Sequence, residues 1–576
     1  MSRVSVGVAE PDLVPPVLPS HEDPVARGAS QLVGGPVGRH ARVGRWHWAW
    51  TPLRVLVALT IMTCALGWVQ KAQCRDIRLW SHNGAVYQYT RYCYSDIVAL
   101  YGAEGLAQHE VPYVDHAVEY PVLIGAVMGV AGWASTAADD DGPGAANVHS
   151  TALFYDVTVL LLAVATVVAV VCTGLSAGRR RIWDAALLAL APTLVLHLAT
   201  NWDMLAVALA SGALLAWGRR RPALAGVLIG LGAATKLYPA IFLVPLLLLC
   251  LRTGQLRAWL RAALAGVVAF VVVTLPVYLV SPAYSELADG STKISGQSAW
   301  QALSGGYGGS AIGHALLPFR DGGENGVLRF WHLNRTRGAD IDSLWLLADH
   351  VKGATVGGGG LFAGDAQAGH LNLAVAGVYL IMLAGIAALA LLAPRRPRLP
   401  QLLFLTLAGF LLANKVYSPQ YTLWLAPLAV LARPRWRGFL LWQLSEVLVL
   451  LTRFPYFILL HIQDQNANHG AKLPERGLQY PWFGAAVALR DLVLLGLCAA
   501  VVREALVPAA DVVRADGWLD DPAGGVLDGA DDAWRGDDDA GRGHADARRG
   551  HEDVRRGDAD AWRGDGPPAR HPDEGA

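Results

Sequence analysis

The sequence predicts an all-α polytopic membrane protein with about twelve spanning helices. Three observations point there. The 576-residue chain is 53% hydrophobic and 16% charged, against about a quarter charged in a soluble domain. Apolar runs recur along most of its length. Arginine clusters fall in alternate gaps between those runs. The formal net charge is zero, so no basic surface argues for nucleic acid. The six Cys show no C-x2-C metal spacing.

Residues 1–45 are rich in Pro, Gly and charge, without helical period, and read as a disordered cytoplasmic segment. The first apolar run, Leu53–Val69, follows Arg39, Arg42, Arg45 and Arg54, with Trp46, Trp48 and Trp50 as an interfacial belt. It reads as an uncleaved signal anchor. Further runs lie near 151–174, 183–200, 202–217, 222–236, 238–251, 258–280, 371–393, 400–413, 419–432, 437–460 and 482–502. Inside a bilayer the backbone must satisfy its own hydrogen bonds, so each is read as helix.

Orientation follows from Arg179–Arg181, Arg219–Arg221, Arg252 with Arg257 and Arg261, Arg395–Arg398 and Arg433–Arg437. Short Arg-rich loops stay in the cytoplasm. Simple alternation then puts both termini in the cytoplasm. It places Asn201–Asp203, Lys236–Pro239, the loop 281–370, Asn414–Gln420 and the loop 461–481 outside. The apolar stretch Pro121–Ser135 breaks that alternation if it crosses, so it is read as a helix lying on or dipping into the outer leaflet. Cys74 and Cys93 share the first outer loop and can pair if it faces an oxidising compartment. The membrane domain is thus 46–502. The tail, 503–576, is a polyampholyte that repeats Asp-Ala-Trp-Arg-Gly-Asp at 532–537 and 560–565. It reads as disordered, so its removal after about residue 505 is expected to leave activity intact.

Polar residues gather on the side opposite the arginines. In the first outer loop Asp96 opens a short amphipathic stretch, and Glu119 precedes Pro121 at the start of the dipping helix. A carboxylate there can accept a proton from a sugar hydroxyl. It can equally be an N-cap or a helix-dipole partner, and spacing leaves both readings open. Three more constellations share that side: Asn201-Trp-Asp203, Lys236-Leu-Tyr238-Pro and Asn414-Lys415-Val-Tyr417-Ser-Pro-Gln420-Tyr. A Lys at the bilayer edge commonly snorkels to water. Two, each near a Tyr, can instead hold a phosphate oxyanion. Ionisable residues this close to hydrocarbon are functional candidates.

In order, D-I-x-x-L-Y, E-Y-P-V-L, N-W-D, A-x-K-L-Y-P and N-K-V-Y-S-P-Q-Y resemble glycosyltransferase family 87, over residues 50 to 500. Asp340-Ile-Asp-Ser-Leu-Trp345 resembles the family's D-F-G-S-I-W stretch, with Asp342 where Gly is usual. The resemblance implies a GT-C fold and an inverting α-mannosyltransferase, with α-1,2 linkage. The donor would be polyprenyl-phosphate-mannose and the acceptor a cell-envelope glycan or glycolipid at the outer face of the plasma membrane. It implies Asp96 as base, with Glu119 and Asp203 orienting. Lys236 and Lys415 would take up phosphate charge, with Tyr238, Tyr417 and Gln420 beside the substrate. The donor would be an anionic phosphate diester whose leaving group needs no protonation, and no nucleotide sugar is implied, so neither a metal nor a cofactor is expected. A transporter or lipid flippase is the alternative, although no internal duplication is visible. A scaffold whose tail recruits partners is a third reading.

Overall fold

The computed structural model describes residues 23–33, 51–76, 86–137, 144, 146–287, 292–306, 308–320, 322–351, 362, 368–468, 472–515 and 520–530. The apolar runs are helical. Along the chain come α1 (Pro24–Val33), α2 (Pro52–Ala72), α3 (Asp96–Ala103), α4 (Val122–Ala137) and α5 (Val148–Ser176). A broken segment over 182–197 leads to α6 (Asp203–Gly218), α7 (Pro222–Ala233), α8 (Leu243–Arg252) and α9 (Leu256–Val280). Within the long loop lie α10 (Arg329–Thr336) and α11 (Leu344–Val351), and from its end come α12 (Ala368–Leu392) and α13 (Leu399–Ala413). The last are α14 (Thr422–Ala432), α15 (Trp436–Asn468) and α16 (Tyr480–Leu506).

Six of these helices, α2, α5, α9, α12, α15 and α16, are long and apolar enough to cross a membrane. Helices such as α6, α7 and α13 are shorter. Burial explains the difference. Nearly all of α13 and every residue of α14 are buried, whereas α9 and α12 expose most of their apolar surface. Short helices form the centre, and long ones present apolar faces outward, as lipid requires. Local chemistry sets the starts. Thr51 accepts from the Arg54 N–H at 3.3 Å with Pro52 at the first position of α2, and Asn147 and Ser150 form a capping box before α5. Helices α7 and α9 cross so closely that a Cβ on Gly226 would lie 2.0 Å from the Ala262 carbonyl oxygen, a small-residue contact of the kind that joins helices in lipid.

The long loop 281–370 adds one small feature to the helical architecture. It carries a four-stranded antiparallel sheet, ordered β2-β1-β4-β3, from β1 (Ala283–Glu286), β2 (Thr292–Gly296), β3 (Phe319–Arg320) and β4 (Gly323–Asn325). The strands are too short for alternation to announce them. One expectation needs correction, that for the terminal segments. Part of the N-terminal one is α1, and Asp23 accepts from the Trp436 N–H at 3.0 Å. The tail does not lose structure at 503. Glu504 lies 2.9 Å from Arg433, Asp520 2.7 Å from Arg395, and Asp511 grips Arg398 at 2.6 Å. Asp521 accepts from the Leu399 N–H at 2.8 Å, and the Trp217 indole donates to the Gly524 carbonyl at 2.9 Å. Opposite charge explains the order: arginines of the clusters at 395–398 and 433–437 are paired by acids of 504–521. The repeat at 532–537 and 560–565 lies outside the described residues, as do Trp46, Trp48 and Trp50.

The stretch read as dipping is α4, whose second residue, Leu123, donates to the Ala234 carbonyl at 2.9 Å. Its start therefore sits at the end of α7 that carries Lys236. Gly125, Gly129 and Gly132 let it lie against Tyr113, Pro112 and Leu106. Cys74 and Cys93 form a disulfide, with Cα atoms 5.6 Å apart.

Candidate active site

The end of the bundle opposite the arginines holds a cavity of about 640 Å³. Asp96 stands in its wall, placed by the chain around it. The Ser95 hydroxyl donates to the Ala199 carbonyl at 2.6 Å, and the Asp96 N–H donates to the Thr200 carbonyl at 2.8 Å. Ser95, not Asp96, occupies the cap position of α3, so the N-cap reading of Asp96 falls. Its carboxylate is free for other partners. Asn201 donates to it at 2.7 Å and, through the same nitrogen, to the Tyr120 hydroxyl at 2.7 Å. The Tyr94 hydroxyl bonds to it as well. Burial is the largest influence on Asp96 and holds its carboxyl above the usual carboxylate range, while the bonds from Tyr94 and Asn201 and the charge of Lys236 pull it back.

Glu119 lines the same cavity. It precedes α4 and lies outside its first turn. Its carboxyl is also raised, chiefly by burial and then by the negative charges of Glu104 and Asp96. Lys236 is buried in the wall, its Nζ 3.4 Å from Asp203 and 4.9 Å from the centre of the Tyr120 ring. Gln420 lines the cavity from the 3-10 turn Pro419–Tyr421.

Four of the sequence candidates do not line it. Asp203 is one shell behind, held by Lys236 and by the Trp424 indole at 2.7 Å. The Tyr238 ring stacks on Trp424 with centroids 4.6 Å apart. Lys415 donates to the Arg337 carbonyl, and its own carbonyl accepts from the Asp340 N–H at 2.8 Å. Tyr417 donates to Glu446 at 3.0 Å beneath the Arg490 guanidinium. The bulky Tyr side chains turn into the core, and Lys415 ties down the stretch 337–340 that forms the wall.

The cations that do reach the cavity include three the sequence reading missed: Lys71, Arg337 and Arg453. Lys71 ends α2, where snorkelling would explain it, yet it is 1% exposed and donates to the Tyr94 carbonyl at 2.6 Å. Arg453 lies inside an apolar run, a signal that intramembrane charge should have raised. It pairs with Asp342, the residue that departs from the family pattern. The local turn forms nevertheless, with the Ser343 N–H donating to the Asp340 carbonyl at 3.0 Å. Among the described residues, then, Lys71, Lys236, Arg337 and Arg453 face Asp96, Glu119 and Asp340 across one cavity. Such a site can hold an anionic group and remove a proton beside it. Among the described residues no three His, Cys, Asp or Glu side chains cluster to hold a metal ion.

The family model of glycosyltransferase family 87 matches residues 142–414. That stretch contains Asn201, Asp203, Lys236 and Arg337, and leaves Asp96, Glu119 and Arg453 outside. No curated protein matches the chain significantly.

Proposed function

We propose that the chain, whose residues 142–414 match the model of glycosyltransferase family 87, is a member of that family and transfers mannose from polyprenyl-phosphate-mannose to a cell-envelope glycan or glycolipid. The transfer inverts the anomeric carbon to an α-mannoside of α-1,2 linkage. The single observation that carries the reading is Asp96, fixed by Asn201 in a cavity ringed by Lys71, Lys236, Arg337 and Arg453. Asp96 takes the proton of the acceptor hydroxyl as its oxygen bonds to the anomeric carbon. The bond from that carbon to phosphate breaks, and polyprenyl phosphate leaves with the electron pair. Negative charge grows on a phosphate, so cations serve the leaving group better than an acid. Lys236 and Arg453, both in the cavity wall, take up that charge, and Glu119 and Gln420 orient the acceptor. Asp203 holds Lys236. Lys415 shapes the wall. Tyr238 and Tyr417 support it from behind.

A polyprenyl donor stays in the bilayer, which suits a cavity at the end of a helical bundle. The cavity lies outside the cytoplasm in this reading. The arginine-rich end opposite supports that side, and so does the Cys74–Cys93 disulfide. Deleting the gene tests the whole reading. The strain is expected to accumulate an undermannosylated glycan or glycolipid and to lack its longer product. Unchanged envelope glycans would refute it.

The raised carboxyl of Asp96 gives a pH dependence. The base works ionised, so transfer falls as pH drops through its pKa, tenfold per unit below it. Burial places that acid limb above the ~4 of a free carboxylate. A pH profile of kcat/KM for the acceptor checks this, and a limb at or below ~4 contradicts it.

A further inference from the structure

Helix α10 separates two cavities. Phe330, Leu333, Asn334 and Arg337 line the one with Asp96. Arg329, His332 and Arg335 line a second, of about 680 Å³. At about 100° per residue these sets fall on opposite stripes of the helix. The first outer loop is divided in the same way, with Ala117 in the second cavity and Glu119 in the first. The sheet supplies the remaining wall.

The chemistry of this second space is specific. Tyr284 of β1 lines it and is 3% exposed, yet its hydroxyl has no partner among the described residues. Gly326 lets the chain press on that ring, since a Cβ there would meet it at 2.7 Å. The Thr292 hydroxyl, also in the wall, is likewise buried without a partner among the described residues. A buried polar group left unsatisfied is costly, and a ligand removes the cost. Glu324 and Glu286 flank His332 at 3.4 and 3.8 Å, and Arg329 and Arg335 add donors. These charges nearly cancel, so the space selects neither an anion nor a cation. Phe319 offers an exposed ring at its edge. Acceptors, donors, two waiting hydroxyls and an aromatic face suit a neutral polyhydroxylated ligand, in a volume within the ~300–1,000 Å³ of small-molecule sites.

We infer that the second cavity is a subsite for the non-reacting sugar units of the acceptor, whose terminal hydroxyl reaches Asp96 around α10. The inference rests on the proposed transfer to a glycan. The probe is an α-linked mannotetraose carrying a photoreactive diazirine, incubated with the full-length protein in nanodiscs, irradiated and mapped by peptide mass spectrometry. Labelling is expected on peptides spanning 283–286 or 319–335 and is competed by unmodified tetrasaccharide. Tyr284→Phe and Glu324→Gln are each expected to lower it about fivefold, as loss of one hydrogen bond would, while Asp96→Asn labels like the parent. Label confined to the Asp96 cavity, label undiminished in both variants, or no label overturns the subsite. Transfer is assayed on the same samples. If Asp96→Asn still transfers while the second cavity is labelled, the base assignment falls and the subsite stands.

Discussion

Asp96→Asn is expected to lower mannosyl transfer by about 10²–10⁴-fold, the usual range for removing a general base. The substitution is nearly isosteric. The Asn201 amide donates to Asp96 at 2.7 Å, and an Asn carbonyl accepts that bond as well as a carboxylate does. The Tyr94 hydroxyl likewise keeps an acceptor. The fold around the Ser95–Ala199 and Asp96–Thr200 contacts uses no Asp96 side-chain atom. The variant should therefore accumulate in membranes like the parent while losing the group that takes the proton. The loss should appear in kcat, with the donor KM little changed, because the cations around the phosphate remain. Glu119→Gln is the control: it shares the cavity and a raised carboxyl, and its effect should be smaller and felt in the acceptor KM. Full transfer by Asp96→Asn in a well-folded preparation would remove Asp96 as base.

Cutting the chain after residue 505 is expected to destabilise the protein severely, and cutting after Ala530 to leave it unchanged. The shorter product loses Asp511, Asp520 and Asp521 together. Arg398 is 1% exposed and donates to both Asp511 oxygens, at 2.6 and 3.0 Å, and to the carbonyls of Leu431 and Ala432 at 2.9 and 2.7 Å. The carbonyls end α14 and remain, but a buried guanidinium without its carboxylate is costly. Removing one partner of a buried pair typically costs about 3–5 kcal/mol. Asp511→Ala alone should show most of this as a lower melting temperature in detergent and a smaller monodisperse peak. Equal stability of the chains ending at 505 and 530 would show that these contacts contribute little.

Much of the architecture was legible in composition. The apolar runs gave the helices, because a bilayer leaves the backbone no alternative, and the arginine clusters marked the common end at which they meet. The small sheet was not legible, since strands of two to five residues carry no readable period. The tail misled for a different reason. Its composition lacks a core of its own, but Asp511, Asp520 and Asp521 need only the arginines of another segment. At the cavity, Asp96, Glu119, Lys236 and Gln420, each singled out from the sequence, line the wall together. Tyr238, Tyr417 and Lys415 share their motifs, but a turn that bears several polar residues cannot send all of them one way. Lys71 was passed over because it follows the first run, where a Lys commonly snorkels to water, and Arg453 because it lies inside the apolar run 437–460. Their burial depends on neighbours distant in sequence, Tyr94 for one and Asp342 for the other, and no local pattern announces such a partner.

The grip of Asp511 on Arg398 also orders biogenesis in time. The two residues are 113 positions apart, so at ~5–20 residues per second the ribosome delivers the acid roughly 6–23 s after the base. Through that interval α13, nearly all of it buried in the finished fold, begins at a cation that lacks its carboxylate. Full stability at this end of the bundle is therefore expected only once Asp511 has been made.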